Sequence, residues 1–219
     1  MNPLKSIRHA EWVDSRWSNE ISKLRKQEYA RASGFSLDLE SLNWKKADEE
    51  SYVMAVFESG SPIATMRGEI IQDLSLVEQK IECPWTFPYR LKTPTMLLSR
   101  AATDSTFRTS GLNLLQRYYF LKLALDLKLS TLLGTFVSHS PREQSLREMG
   151  YEFFENPLGW QKSSYRSTRT VFVVALDLER KAEQALAYCE GQLGSLIDQV
   201  PLKKTNMANF ESPKMVQGI

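Results

Sequence analysis

The chain has 219 residues, of which 42% are apolar, 11% aromatic and 25% charged, close to the average for globular proteins. This composition argues against a disordered chain, a collagen-like repeat and a coiled coil, and the length favours one domain. Lys and Arg number 28 against 26 Asp and Glu, and the resulting net charge of +2 disfavours a nucleic-acid-binding protein. The two cysteines, Cys83 and Cys189, lie far apart, which excludes a disulfide scaffold and a paired metal motif and favours a reducing, cytoplasmic setting.

The chain contains no segment that predicts a membrane span. No stretch approaches the roughly 20 apolar residues that cross a bilayer, and the longest apolar run, 171–176, has the length of a strand. Charged residues occupy the N-terminus where a signal peptide would be apolar, so we expect no secretion. Residues 201–219 are polar and predict a mobile tail, which leaves residues 1–200 as one domain.

The first half of the chain predicts two helices and a hairpin. The segment around Trp12 and Trp17 predicts a short helix, and a second helix begins near Ser18 or Asn19 and ends at Gly34. Two strands joined by a Ser-Gly-Ser-Pro turn predict a hairpin, and a proline-containing stretch after it predicts irregular structure. The ranges are 52–58 and 63–71 for the strands and 73–95 for the irregular stretch.

The second half alternates strands and helices. Apolar runs predict strands, helical spacing of Leu and Tyr predicts helices, and Ser140 followed by proline predicts the start of a short helix that ends at Gly150. This order predicts a mixed α/β (α+β) layer architecture. The predicted strands are 95–103, 131–137 and 170–178, and the longer helices are 111–128 and 180–197.

The passage from strand 95–103 into the next helix carries the strongest functional signal. It reads Arg108-Thr-Ser-Gly111-Leu-Asn113. A helix start leaves up to four backbone N–H groups unpaired and carries a partial positive charge. With a glycine that allows close approach and an arginine beside it, this turn suits a phosphate or pyrophosphate. An ordinary strand-to-helix turn with a surface arginine is the alternative.

This turn and the strand before it resemble known acyltransferases. Arg108-x-x-Gly111-x-Asn113 resembles the donor loop Arg/Gln-x-x-Gly-x-Gly/Ala of the GNAT superfamily, and Asn113 departs from it, which suggests a donor other than plain acetyl-CoA. Leu98-Ser99-Arg100-Ala101-x-x-Asp104 is similar to the Ser-Arg-Phe-x-Val-Asp strand of acyl-homoserine lactone synthases. It is also similar to the related long-chain N-acyl amino acid synthases, which share a GNAT-type fold.

Further short motifs follow in the order that these synthases have. They are Leu24-Arg25-x-x-x-Tyr29, Ala64-Thr65-Met66-Arg67 and Leu146-Arg147-x-x-Gly150-Tyr151, so the resemblance covers roughly residues 20–160. Lactone synthases have an acid two positions before the Ser-Arg pair, where this chain has Leu97. Their acidic cluster after the first helix is only loosely matched by Asp48, Glu49 and Glu50. An N-acyl amino acid synthase therefore fits better than an enzyme that uses S-adenosylmethionine.

The resemblance implies a GNAT-like fold with a mixed, mainly antiparallel central sheet flanked by helices. It implies transfer of a long-chain fatty acyl group from an acyl carrier protein thioester to the amine of an amino acid, with no metal and no tightly bound cofactor. The acyl-phosphopantetheine of the carrier, or acyl-CoA, is then a co-substrate. Residues 81–128 hold seven basic and three acidic side chains, which would attract an acidic carrier protein. An acetyl- or short-acyl-CoA-dependent GNAT enzyme and a non-catalytic acyl or acyl-carrier binding module are the alternatives.

The same resemblance implies which residues bind the donor and the acceptor. A backbone N–H at the end of the Ser99–Ala101 strand would meet the thioester carbonyl. Arginines would hold the acceptor carboxylate, although a structural ion pair is the alternative for Arg25, and Arg100 could instead orient Asp104 or a neighbouring carboxylate. An aromatic loop would line the acyl chain, with ordinary packing of that loop as the alternative. The donor residues are Ala101, Thr103, Arg108, Ser110, Gly111, Leu112 and Asn113; the acceptor and acyl-chain residues are Arg25, Arg67, Arg100, Trp85, Phe87 and Tyr89.

The candidate catalytic residues are Glu69, Asp48 and Ser99. An amino acid amine is mostly protonated at neutral pH, so a carboxylate or an ordered water must accept a proton. Glu69 and Arg67 are two residues apart on one strand and face the same side, so Arg67 could hold a carboxylate while Glu69 accepts the proton. A cross-strand ion pair is the alternative for Glu69, and a solvated loop charge is the alternative for Asp48 and Glu82.

Overall fold

The structure is a computed structural model that describes residues 8–31, 35–73, 75–81, 91–156, 165–167 and 170–203. Within these ranges, none of the helices combines the length and the apolar character that a membrane crossing requires.

A seven-stranded sheet organises the chain, with the strand order β1-β3-β4-β5-β6-β9-β7. Among the strands of this sheet in the described residues, only β5 and β6 pair in parallel, and every other neighbouring pair is antiparallel, which confirms the predicted mixed, mainly antiparallel sheet. Two further strands, β2 and β8, pair with each other. The strands are β1 Arg8–Val13, β2 Phe35–Leu37, β3 Tyr52–Glu58, β4 Ser61–Ile71, β5 Thr95–Thr103, β6 Thr131–Val137, β7 Glu152–Asn156, β8 Tyr165–Ser167 and β9 Val171–Asp177.

Helices cover both faces of the sheet. Alternate residues of β3 show this directly: Met54 and Val56 belong to the main core cluster, which includes α4 and α6, whereas Val53 and Ala55 pack in a smaller cluster with α1. The helices are α1 Ser18–Ala30, α2 Lys46–Glu49, α3 Ser75–Ile81, α4 Leu112–Asp126, α5 Glu143–Glu148, α6 Leu178–Leu193 and α7 Leu196–Gln199. Short 3₁₀ turns span Ser15–Trp17, Leu39–Leu42 and Ser105–Phe107.

The hairpin of β3 and β4 and the strands β5 and β6 confirm the sequence prediction. The predicted N-terminal helix is wrong, because residues 8–13 form β1 at the edge of the sheet. Ala10 and Trp12 alternate into the main core while His9 and Glu11 stay partly exposed. That period of two is the pattern of a strand, and the surrounding charges concealed it.

The structure differs from the sequence prediction at several other points. The stretch predicted as irregular contains the regular helix α3, although residues 82–90 lie outside the described chain. Ser140 does not cap a helix, since α5 begins only at Glu143. Strand β7 was not predicted. Residues 201–203, assigned to the tail, hydrogen-bond to Ala10 of β1 through Pro201 O and Lys203 N.

Gly68 of β4 permits the close contact of α4 with the sheet. A Cβ atom at this position would lie 2.4 Å from Cε1 of Phe120 and 2.8 Å from Sδ of Met96. We expect Gly68→Ala to lower the free energy of unfolding by about 1–3 kcal/mol through overpacking. Gly191→Ala is the matched control, because no atom lies within 4 Å of the new methyl group, and it should stabilise α6 by about 0.5–1 kcal/mol. Urea unfolding of both variants measures the difference, and equal effects would contradict this account.

Candidate active site

Strand β5 has an open edge in the middle of the sheet. Its parallel pairing with β6 runs from Thr95 and Thr131 to Leu98 and Gly134 and stops there. Both strands continue beyond this point, β5 to Thr103 and β6 to Val137. The last part of β5 therefore presents its backbone to a gap between two strands of one sheet, where a ligand can pair with it.

A β-bulge lies on this open part of β5. Across the β4 and β5 pair, Thr65 faces Ala102 and Arg67 faces Ser99, so two residues of β5 oppose one of β4. Arg100 takes a left-handed conformation, with a φ of 55°, at this bulge. A bulge leaves an extra residue outside the hydrogen-bond ladder. The bulge thus offers an unpaired backbone group at the open edge, as the sequence resemblance implied for Ser99–Ala101.

Gln116 of α4 hydrogen-bonds to the part of β4 that lies opposite the bulge. Its side chain is fully buried. In the amide orientation that satisfies both groups, its carbonyl oxygen accepts hydrogen bonds of 3.2 Å from the N–H groups of Thr65 and Met66. These are the β4 amides opposite the bulge, so a side chain of α4 compensates for the disrupted ladder.

The turn after β5 presents unpaired amides. Gly111 begins α4 in the left-handed region, with a φ of 80°, which glycine adopts without strain. Within the described residues, the N–H groups of Leu112, Asn113 and Leu114 have no hydrogen-bond acceptor, as expected for a helix start. The Ser110 hydroxyl donates to the carbonyl of Phe107 at 2.6 Å and closes the turn.

The two distinctive side chains of this turn have partners. Asn113, the residue that departs from the GNAT loop, accepts a hydrogen bond of 3.2 Å from Nε of Arg117, one helical turn further on. Its side chain therefore lies along α4. Arg108 is half exposed and donates to Oε2 of Glu28 in α1 at 2.9 Å. Several of its guanidinium N–H groups remain available for a ligand.

A buried ion pair joins α1 to α2 beneath the sheet. Nη1 of Arg25 lies 2.8 Å from Oδ1 of Asp48, and both side chains are at most 2% exposed. The other carboxylate oxygen of Asp48 accepts from the backbone N–H of Lys45 at 3.0 Å. Within the described residues, Nε and Nη2 of Arg25 have no hydrogen-bond partner. Solvent does not reach either charged group, so each interacts only with the protein groups beside it.

Arg67 and Glu69 form the more accessible part of the same cluster. The Nε of Arg67 donates to the Ser99 hydroxyl at 3.1 Å, and its Nη1 lies 3.9 Å from Asp48. Nη2 of Arg67 lies 3.9 Å from Glu69, which also pairs with Nζ of Lys80 at 2.5 Å. The side chains of Arg67 and Glu69 retain 11% and 12% exposure, so a small ligand has access to them.

The cluster contains more positive than negative charge. Burial lowers the pKa of the Arg25 and Arg67 guanidinium groups, Asp48 opposes this shift, and the neighbouring charge of Arg100 adds to it. Arg100 directly follows Ser99, whose hydroxyl Arg67 contacts. Arg25 and Arg67 pair with the two carboxylates of Asp48 and Glu69, Lys80 adds a cation at the rim, and the charge of Arg100 adds to the positive potential. This arrangement favours an anionic ligand.

Solved structures with the same architecture share little sequence with this chain. The acyl-homoserine lactone synthase LasI aligns with a TM-score of 0.59 at 16% identity, over 83% of this chain and 95% of LasI. BjaI, a CoA-dependent acyl-homoserine lactone synthase solved with MTA, gives 0.60 at 14%, over 94% and 99%. FeeM, an N-acyl amino acid synthase from uncultured soil microbes, gives 0.57 at 12%, over 84% and 98%. This chain has the GNAT fold.

No protein-family model matches the chain, and no curated protein sequence matches it. On this GNAT fold the predicted residues form two neighbouring groups along β5. Ala101, Thr103 and the turn of Arg108 to Asn113 lie at its open end. The other group is the buried cluster of Arg25, Asp48, Arg67, Glu69, Ser99 and Arg100.

Sequence reasoning missed four residues of these two groups. Glu28 and Lys80 hold predicted site residues, Gln116 supports the bulge, and Arg117 orients Asn113. The position of Glu28 three residues after Arg25, on one helix face, was the available signal. No short-range signal links Lys80 to Glu69, because that contact depends on the unpredicted α3. The aromatic residues Trp85, Phe87 and Tyr89 lie outside the described residues.

The buried Arg25–Asp48 pair predicts that Asp48 contributes much more to the stability of the fold than the nearby exposed acid Glu50. Asp48→Ala should lower the free energy of unfolding by about 3–5 kcal/mol, because it leaves Arg25 buried without a counter-charge. Glu50→Ala is the control: its exposed pair with Lys46 should contribute only about 0–1 kcal/mol. In the double variant Arg25→Met/Asp48→Leu most of the loss should be recovered. Denaturant unfolding measures all three, and equal losses for Asp48→Ala and Glu50→Ala would contradict the burial argument.

Proposed function

We propose that this protein is an N-acyltransferase that transfers a long-chain fatty acyl group from an acyl carrier protein thioester to the amine of an amino acid. One observation supports this most strongly. The open, bulged edge of β5 lies between a helix start with unpaired amides and a cluster rich in arginine. An extended thioester donor and a small anionic acceptor therefore meet at one strand.

The donor occupies the open edge of β5 and the turn after it. The phosphate of the phosphopantetheine arm binds the free amides of Leu112 to Leu114, and Arg108 adds a charge-assisted hydrogen bond. Gly111 lets the phosphate approach the backbone. The arm then runs back along β5, past Thr103 and Ala101, and its thioester carbonyl reaches the bulge. Because Asn113 lies along α4 towards Arg117, it leaves the amides open.

The acceptor occupies the arginine cluster with its carboxylate. Arg67 contacts the carboxylate from the accessible side, and Arg100 lies beside it. The buried guanidinium of Arg25 lies behind this position and holds Asp48, which faces Arg67. An amino acid with a neutral amine carries one negative charge, which offsets part of the excess positive charge of the cluster. S-adenosylmethionine carries an additional sulfonium charge, so the same cluster disfavours it.

The reaction requires a proton acceptor and an oxyanion-binding group. The amine nitrogen attacks the thioester carbon and a C–N bond forms, then the C–S bond breaks and the carrier leaves as a thiolate, which takes up the proton that Glu69 removes from the amine. Glu69 takes the proton from the amine, and a backbone N–H of the Ser99–Ala101 bulge donates to the developing oxyanion. The Ser99 hydroxyl holds Arg67 in place. Positioning of the two substrates at one strand supplies about 7 kcal/mol or more in favourable cases.

The acyl chain of a long-chain donor needs a binding surface of its own. Each buried methylene of the chain contributes roughly 0.8 kcal/mol, so a long-chain donor needs an apolar wall. The sequence resemblance implies Trp85, Phe87 and Tyr89 for this role, and these residues lie outside the described chain.

An assay with several donors tests the proposal. We expect release of free thiol and an equal amount of N-acyl amino acid when the protein is given long-chain acyl carrier protein and a mixture of amino acids. Mass spectrometry identifies the product. Faster turnover with acetyl-CoA or another short acyl-CoA would contradict the carrier and chain-length assignment, and it would favour an ordinary CoA-dependent GNAT enzyme. Donor binding by folded protein without any product would indicate a non-catalytic binding module.

Two substitutions in the cluster should affect different kinetic constants. Arg67→Met should raise KM for the amino acid about 10- to 100-fold, because a charge-assisted hydrogen bond to the carboxylate is lost. Glu69→Gln should lower kcat by about 10²- to 10⁴-fold with a smaller change in KM, because the proton acceptor is lost. Glu50→Gln removes an exposed carboxylate outside the cluster and serves as the control. Unchanged kcat in Glu69→Gln would exclude Glu69 as the base.

A further inference from the structure

Glu28 of α1 binds two arginines at once. Its side chain is only 4% exposed, whereas those of Arg31 and Arg108 are 55% and 50% exposed. Oε1 of Glu28 accepts from Nη1 of Arg31 at 2.6 Å, and Oε2 accepts from Nη2 of Arg108 at 2.9 Å. A buried carboxylate thus fixes two half-exposed guanidinium groups, one at the end of α1 and one in the donor turn.

A second contact holds Arg31 over the donor turn. The Nη1 of Arg31 also donates to the hydroxyl of Ser105 at 2.9 Å, three residues before Arg108. The two guanidinium groups also act together on the Asp104 carboxyl, where their charges contribute to a lowered pKa after hydrogen bonds from Thr106. Arg31 and Arg108 are therefore close neighbours, although 77 positions separate them in the sequence.

Arg31, Glu28 and Arg108 together form an arginine fork. The carboxylates of Glu28 and Asp104 offset the two guanidinium charges, but each guanidinium keeps N–H groups that Glu28 and Ser105 do not use. The fork lies beside the free amides at the start of α4, which carry a partial positive charge of their own. Two fixed guanidinium groups and a helix start are complementary to a phosphate group.

We propose that Arg31 is a second phosphate-binding residue of the donor site and that Glu28 is the positioning residue that orients Arg31 and Arg108 towards the phosphate. This inference rests on the proposed function, since it extends the donor site. The ligand group is the phosphate at the end of a pantetheine arm, which acyl carrier protein and CoA share. The fork therefore contributes to binding of either donor.

Binding of two non-acylated probes to the full chain tests the inference. We expect Arg31→Gln to raise Kd for both 4′-phosphopantetheine and CoA about tenfold, as loss of one charge-assisted hydrogen bond predicts. Arg16→Gln is the matched control, because it removes the same charge from an ion-paired arginine beyond the other end of α1, roughly 20 Å away. Its Kd should equal that of the unchanged protein. Calorimetric titration measures Kd, and thermal unfolding verifies that each variant is folded.

Glu28→Gln separates orientation from simple charge. Removal of a negative charge beside a phosphate site should tighten binding if only net charge matters. If Glu28 orients the arginine fork, Glu28→Gln weakens binding of both probes. Arg31→Lys should then recover only part of the affinity lost in Arg31→Gln, because lysine lacks the planar guanidinium group.

The outcomes distinguish this inference from the donor site itself. Equal affinity of Arg31→Gln and the unchanged protein for both probes would overturn the role of Arg31 and leave the donor site intact. If Arg31→Gln loses affinity for CoA but not for 4′-phosphopantetheine, Arg31 contacts the nucleotide portion of CoA, and its proposed role at the pantetheine phosphate is overturned. Tighter binding by Glu28→Gln would overturn the positioning role. Failure of the unchanged protein to bind either probe would overturn the donor site and this inference together.

Discussion

The burial of charged side chains on α1 is the constraint on which the rest of the site depends. Surface helices usually present an apolar stripe to a sheet. Here α1 places Arg25 and Glu28 among its buried residues, next to Ile21 and Leu24. A buried charge is tolerated only where it is paired. Arg25 therefore requires Asp48, and Glu28 requires Arg31 and Arg108, so one helix determines where α2 and the donor turn lie.

This constraint places the two halves of the site in a fixed relation. Arg25 and Glu28 are three residues apart and lie on one side of α1, about 5–6 Å from each other at their Cβ atoms. One side chain supports the arginine cluster and the other supports the turn before α4. The cost of two buried ionic contacts is thus linked to a geometry in which this cluster and this turn lie along the same strand. A wholly apolar α1 would pack as well, but it would leave Arg108 and Asp48 unsupported.

Local sequence patterns predicted the parts of the fold whose signals are local. The strand from Thr95 to Thr103 and the glycine at the start of α4 were predicted because apolar runs and a strand-to-helix turn need no distant partner. The bulge at Arg100 was not predicted, because it depends on register with β4 and on Gln116 from α4. The candidate site shows the same difference between local signals and contacts with distant residues. Its arginines were recognised from short motifs, whereas Glu28 and Lys80 act through contacts that only the folded chain creates.

The register of β4 and β5 accounts for the acid that is missing at position 97. Lactone synthases, as noted above, have an acid two positions before the Ser-Arg pair, and this chain has Leu97, which packs in a small apolar cluster with Leu133. Glu69 is the direct cross-strand partner of Leu97. Directly opposite residues of antiparallel strands point to the same face with Cβ atoms about 5 Å apart. A carboxylate is therefore present on the same face of the sheet, one strand away, which is why loss of the motif position does not remove the proton acceptor that the proposed reaction needs.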